Sequence, residues 1–251
     1  LLPIGGYFPD KLDPQAPAQV AVVTPSLMRA SIRTALESVY AQDLQGRIQL
    51  VIGADLNPTD TEHVYAALAD RPDHVSAVVL TLPYSTSQRH GGVHPAWDGG
   101  ALRTILSFMA NARHVAYLDD DNVWTTDHLS SLLAAVQGRH WAYSLRLLLD
   151  EDTGDELGVD RWDAVGPGKG RFKDQGGMVD PNCLLLDKVL CAPALWQWSD
   201  PGPKLKRLEA DRRIAATLAR FPHGEVGRAT VRYRIRPTNI LRQFLREGTE
   251  F

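Results

Sequence analysis

Apolar positions along this chain switch between two periods. Gln19-Val20-Ala21-Val22-Val23-Thr24, Ile48-Gln49-Leu50-Val51-Ile52-Gly53-Ala54-Asp55 and Val75-Ser76-Ala77-Val78-Val79-Leu80 are short, nearly continuous apolar runs, the pattern of strands buried on both faces. Between them the spacing becomes helical. Ile32, Leu36 and Val39 predict a helix over 27–42, begun after Pro25-Ser26 breaks the first strand, and a second helix follows the turn Asn57-Pro58 over 60–69. The alternation continues with a helix over 101–111 and a strand over 114–118. Leu129, Leu132, Leu133 and Val136 mark a further helix, 141–149 and 179–187 read as strands, and 208–220 as a helix. Strands and helices alternating at this spacing predict an α/β fold with a mostly parallel central sheet flanked by helices. Residues 1–18, rich in Pro and Gly without periodicity, predict a surface arm. Residues 150–177, acidic and then glycine-laden, predict a functional loop or disorder.

In such sheets ligands bind outside the carboxyl ends of the strands, where Thr24, Asp55 and the triplet Asp119-Asp120-Asp121 all fall. Three consecutive carboxylates repel one another unless something positive is bound, and hard oxygen donors suit Mg²⁺ or Mn²⁺, which keep coordination positions for water and substrate phosphates. An isolated triplet would more readily be a solvated turn before the helix that Thr125-Thr126-Asp127 begins. The other strand-end groups tip the reading towards a metal-phosphate site. Residues 83–100 hold Arg89, His90, Gly91, Gly92, Asp98, Gly99 and Gly100, whose glycines would allow backbone to approach an anion at the following helix. Neither Gly-x-Gly-x-x-Gly nor Walker spacing is found in the first half, which argues against a dinucleotide oxidoreductase or a P-loop enzyme.

A net charge of −3 gives no global signal for nucleic acid or an anionic membrane. Cys183 and Cys191 match neither a thiolate metal site nor a redox motif and read as reduced packing residues. With no signal-peptide layout and no apolar run of spanning length, the expectation is a cytoplasmic protein without a transmembrane segment. Arginines 228, 232, 234, 236, 242 and 246 make the end of the chain basic, enough to engage a diphosphate or simply to form a solvated face. Trp196 and Trp198 could stack on sugar faces or fill the core.

Taken together, Val20-Ala21-Val22-Val23-Thr24-Pro25-Ser26, Asp55 and Tyr117-Leu118-Asp119-Asp120-Asp121-Asn122 resemble the GT-A-fold glycosyltransferases, particularly glycosyltransferase family 2, over roughly residues 19–240. The resemblance implies a single domain with a nucleotide-sugar-binding half over 19–124 and an acceptor-binding half over 125–240. The arm 1–18 and a tail 241–251 flank it. It implies donor contacts from Thr24, Pro25, Ser26 and Arg29, and a base contact from Asp55. Asp121 would be a direct metal ligand, with Asp119 or Asp120 holding the ribose or completing the metal shell. Ala210-Asp211 is similar to the family's Glu-Asp motif, so Asp211 would be the general base of an inverting transfer. Ala96-Trp97-Asp98 departs from the family's Ala-Arg-Asn, leaving Asp98 to orient the donor without the usual arginine. Tyr233-Arg234-Ile235-Arg236 resembles Tyr-Arg-x-His with arginine last, which points to guanidinium-phosphate contact. Residues 166–177 and the two tryptophans would fall on the acceptor side.

The function implied is transfer of a sugar from a nucleotide-sugar, UDP-linked by expectation, with Mn²⁺ or Mg²⁺ as cofactor. The acceptor would be a carbohydrate, a lipid-linked group or another hydroxyl. Two rivals stand beside it. A sugar nucleotidyltransferase would want glycines after the first strand, which Thr24-Pro25-Ser26-Leu27-Met28-Arg29 lacks. A nucleotide- or carbohydrate-binding module with a degenerate site would bind without turnover.

Overall fold

The structure, a computed structural model, describes residues 5–13, 15–55, 61–95, 99–200, 210–236, 239 and 241–242. Its first half runs β1 (Gly5–Phe8), β2 (Ala18–Ser26), α1 (Ile32–Tyr40), β3 (Ile48–Ala54), α2 (Glu62–Ala69), β4 (Val75–Thr81), α3 (Gly100–Met109) and β5 (Ala112–Tyr117). The second half runs β6 (Val123–Trp124), α4 (His128–Ala135), β7 (Trp141–Asp150), β8 (Glu156–Val159), β9 (Gly166–Pro167), β10 (Gly177–Met178) and β11 (Leu184–Asp187). The helices α5 (Ala192–Leu195) and α6 (Ala210–Leu218) precede the final strand, β12 (His223–Ile235).

Among the described residues one ten-stranded sheet has the order β1-β4-β3-β2-β5-β11-β7-β12-β6, with β8 paired to β7 off this path. The four strands β4, β3, β2 and β5 are mutually parallel, and every residue of β3 is buried, as the continuous apolar runs require. Gly53 lets α3 close on this sheet: a Cβ there would stand 2.9 Å from a Leu106 methyl. Antiparallel β11 bridges β5 to β7 and so joins the two halves into one sheet. Trp141, Trp198, Tyr117 and Tyr143 are the largest fully buried side chains of the core.

Five stretches differ from their sequence patterns. Within the stretch read as an arm, Gly5–Phe8 pairs antiparallel with β4 as an edge strand too short to show a period. Pro25 and Ser26 extend β2 rather than ending it. Pairing to β5 stops at Val23 while pairing to β3 continues to Ser26, so the N–H that proline lacks faces no partner strand. The helix accordingly starts later, at Ile32. The long segment 150–177 is ordered by β8 and the β9–β10 pair, and residues 223–235 of the basic end form a strand parallel to β7.

Strand β12 packs closely on α4. A Cβ at Gly224 would lie 1.9 Å from the Ala135 carbonyl oxygen, a clash that only backbone movement relieves. Gly224→Ala is therefore expected to destabilise the fold by about 1–3 kcal/mol, read as a lower midpoint in urea with an unchanged slope. An unaltered midpoint would show that α4 can retreat at no cost.

Candidate active site

The carboxyl ends of β2, β3 and β5 open on a cavity of ≈ 420 Å³. Pro25, Ser26, Arg29, Asp55, the triplet, Asp211, Arg234 and Arg236 all line it. Thr24 does not: it is fully buried one residue short of the opening, with its hydroxyl unpaired. Asp98 lies outside the described residues.

Each acid of the triplet meets an arginine, and the three differ in what they leave accessible. Asp120, buried, is fully engaged. Its Oδ2 accepts from Ser26 Oγ at 2.6 Å and from the Leu27 N–H at 3.3 Å, while Oδ1 accepts from Arg29. It braces the turn after β2, where Met28 takes a positive φ of 57° and donates its N–H to Ser26 Oγ at 2.7 Å. Asp119 and Asp121 keep 28% and 26% of their side chains exposed, which leaves these two able to reach a ligand. Asp119 accepts from Arg103 of α3 and from Asn182 Nδ2 at 3.0 Å. Asp121 Oδ2 accepts from Arg29 at 3.1 Å and Arg236 at 2.8 Å. Burial, then the neighbouring Asp119, raise the Asp121 carboxyl above the usual carboxylate range despite those arginines.

A divalent cation fits this chemistry. Two partly exposed carboxylates, Asp119 and Asp121, offer hard oxygen donors, and positive charge already gathers on them from Arg29, Arg103 and Arg236. Among the described residues no group of three or more His, Cys, Asp or Glu could enclose an ion alone. The protein would thus supply one or two oxygens and a bound diphosphate the others, the usual habit of Mg²⁺.

Around the triplet, Asp55 is pinned at the end of β3, its Oδ1 accepting from the Thr86 N–H at 3.0 Å and Thr86 Oγ1 at 2.8 Å. The Arg234 N–H donates to Asn122 Oδ1 at 3.1 Å, tying β12 to the acidic loop. Asp211 sits in the first turn of α6. Of the other arginines of the basic end, Arg228 pairs with Asp127, Arg232 with Glu156 and Arg242 with Asp150, and Arg246 lies outside the described residues. Trp198 is fully buried, edge-on to Tyr117 with ring centroids 5.0 Å apart and 5.4 Å from the Arg103 guanidinium, whereas Trp196 is half exposed and off the cavity. Residues 166–177 do not line the cavity; β10 instead packs on α6. Cys183 is buried in the core, its thiol pushed well up by burial.

Sequence reasoning missed Arg103, Asn182 and Thr86. For Arg103 a signal existed, an arginine beside Leu102 on the apolar face of an amphipathic helix, a position that demands a buried anionic partner. Asn182 and Thr86 carry no local pattern that marks them.

No family model matches the sequence. Over 115 residues the chain is 36% identical to the succinoglycan biosynthesis protein ExoW of Rhizobium meliloti (strain 1021), a stretch covering 45% of this chain and 32% of that protein. The fold superposes on S. aureus TarS with a TM-score of 0.61 at 15% identity, covering 87% of this chain and 37% of TarS. TarS 1-349 in complex with UDP gives 0.61 at 14% identity, covering 87% of this chain and 61% of that one. The mannosyltransferase PcManGT from Pyrobaculum calidifontis, in complex with GDP-Man and Mn²⁺, gives 0.57 at 14% identity over 95% of this chain and 64% of that one. This chain spans about a third of its curated relative's length and under two thirds of these solved chains. The mixed, mostly parallel sheet with its acids at the strand ends is the GT-A fold of the glycosyltransferases.

Proposed function

We propose that this chain is the donor-binding and catalytic unit of a metal-dependent glycosyltransferase that moves a sugar from a UDP-sugar to a hydroxyl acceptor with inversion. The observation that carries the reading is the gathering of Asp55, Asp119, Asp121 and Asp211 on one cavity with Arg29, Arg103 and Arg236. Similar folds hold UDP, UDP-GlcNAc, and GDP-Man with Mn²⁺, which supports a nucleotide-sugar ligand. The free, buried Cys183 and Cys191 support a reducing compartment such as the cytoplasm. No helix of the described residues is long and apolar enough to cross a membrane.

Asp55 would read the base, since Thr86 holds only one of its two oxygens. Asp121, with Asp119, would hold Mn²⁺ or Mg²⁺, which when bound offsets charge on the diphosphate leaving group. Arg29 and Arg236, already beside Asp121, are placed to turn their guanidinium forks to phosphate oxygens. Asp211 would take the proton from the acceptor hydroxyl as that oxygen attacks the anomeric carbon from the face opposite the diphosphate, whose bond to that carbon breaks, so that the configuration inverts.

Calorimetric titration with UDP, GDP and their sugar conjugates, each with and without Mn²⁺ or Mg²⁺, tests this directly. Saturable, cation-strengthened binding of one nucleoside diphosphate is expected. Absence of binding under every condition would overturn the reading. Binding without transfer or hydrolysis would favour a binding module, and pyrophosphate release from a nucleoside triphosphate and a sugar phosphate would favour a nucleotidyltransferase.

A further inference from the structure

Beneath the acidic triplet lies a buried ionic cluster. Arg146, on β7, has three carboxylates around its guanidinium: Asp160 at 2.9 Å from Nε, Asp163 at 2.8 Å from Nη2 and Asp180 at 2.5 Å from Nη1. The Tyr233 ring, at the cavity wall, lies 4.4 Å from the guanidinium carbon. Burying such a group costs stability unless each charge is held by specific hydrogen bonds. Here those bonds lead out of the core.

Asp180 Oδ1 accepts from the Asn182 N–H at 2.9 Å and from Asn182 Nδ2 at 2.8 Å, fixing the 3₁₀ turn Pro181–Cys183. Asn182 is fully buried, and its amide reaches on to Asp119: Oδ1 accepts from the Asp119 N–H at 2.7 Å, and Nδ2 donates to Asp119 Oδ2 at 3.0 Å. Its main-chain carbonyl is held by Trp124 Nε1 at 3.0 Å. The amide can point only one way, because a flip would set its oxygen against two carboxylates. One side chain thus grips both the backbone and the carboxylate of the first acid of the triplet, just where β5 gives way to the acidic loop.

We propose that Asn182 is a positioning residue for the donor site, held by the Arg146–Asp180 pair and setting the place and rotamer of Asp119. The inference rests on the reading of Asp119 as a donor-site acid given above. A donor site built on a loop needs such support, since the carboxylate otherwise samples rotamers that do not meet the ligand. Asn182 touches neither substrate nor metal in this role and acts through Asp119.

The test combines two measurements on Asn182→Leu, which keeps the volume and removes every side-chain hydrogen bond. UDP and GDP are titrated calorimetrically with Mn²⁺, and amide hydrogen exchange is followed at Asp119 and Leu118. The Leu118 N–H is bonded to the Val23 carbonyl at 3.0 Å and reports on the sheet itself. Affinity is expected to fall by about tenfold or more, with protection lost at Asp119 and kept at Leu118. Unchanged affinity, or weaker binding with Asp119 still protected, would overturn the proposal. Loss of protection at both amides would also overturn it by assigning Asn182 to general stability. If the leucine variant does not fold, Asn182→Ser is read by the same criteria, and failure of both to fold counts against positioning. Wild-type protein that binds neither nucleotide would instead remove the functional reading on which the inference stands.

Discussion

Asp211→Asn is expected to slow sugar transfer by about 10²–10⁴-fold while leaving UDP affinity within a factor of about two. The substitution is nearly isosteric. An amide keeps an oxygen that can accept the Arg212 N–H, bonded at 2.8 Å to Asp211 Oδ1, so the start of α6 retains its geometry. What disappears is the capacity to accept a proton from the attacking hydroxyl. The groups assigned to the nucleotide lie on other elements, at the ends of β2, β3, β5 and β12, so a loss confined to the chemical step is the signature of a base. Release of UDP from UDP-sugars, with water as the accepting hydroxyl, measures the rate without knowledge of the natural acceptor, and calorimetry with UDP measures binding. Equal loss of both would remove Asp211 from the base role, and loss of neither would place the proton acceptor elsewhere.

The parts of the fold that were legible are those where one local rule decides. β3 is a continuous apolar run because both its faces are covered, and such a run announces itself. The acids at strand ends were legible because the parallel sheet brings its carboxyl ends to one edge. What stayed hidden depends on partners distant in sequence. Gly5–Phe8 becomes a strand only because β4 offers a free edge, and four residues are too few to show alternation. β12 reads as a run of arginines, yet Val231 and Ile235 are fully buried between them and the strand pairs with β7 over most of its length. The arginines of this basic end divide by geometry alone. Arg236 reaches the cavity, while Arg228 is taken by Asp127 more than a hundred residues earlier in the chain.

The same dependence explains the arginines around the triplet. The resemblance raises the expectation of an arginine where this chain has Trp97, and the guanidinium that meets Asp119 comes instead from Arg103, within α3. Helical spacing puts Arg103 on the face that holds Leu102 and Leu106, and only the folded sheet, which brings Asp119 at the end of β5 to Arg103, shows that this face meets a carboxylate. Asp120 is the converse case. Its sequence position makes it equivalent to its neighbours, and the turn after β2 sets it apart by filling both of its oxygens.

Asp121→Ala is expected to abolish the strengthening of UDP binding by Mn²⁺, and the argument turns on what already surrounds this carboxylate. In the free protein Arg29 and Arg236 both lie on Asp121 Oδ2, while burial and Asp119 still hold its pKa above the usual range. A cation held at this carboxylate would compete with the two arginines for its oxygens and leave them freer to meet the phosphates. Removing the carboxylate takes away a charged contact of about 2–3 kcal/mol, so affinity in saturating Mn²⁺ should drop by roughly 100-fold. Without metal the sign reverses. The two guanidiniums lose one carboxylate partner each, Arg29 keeping Asp120 and Arg236 keeping Glu151, and gain freedom to meet the diphosphate, so Asp121→Ala should bind UDP at least as tightly as the wild type does under chelator. Titrations of both proteins with Mn²⁺ and with EDTA separate these outcomes, with thermal melts confirming that the variant is folded. If Mn²⁺ strengthened binding in the variant as much as in the wild type, Asp121 would not be a metal ligand and the cation would have to be held without it. If binding weakened equally with and without metal, the carboxylate would be orienting Arg29 and Arg236, and the acidic triplet would be a scaffold for arginines.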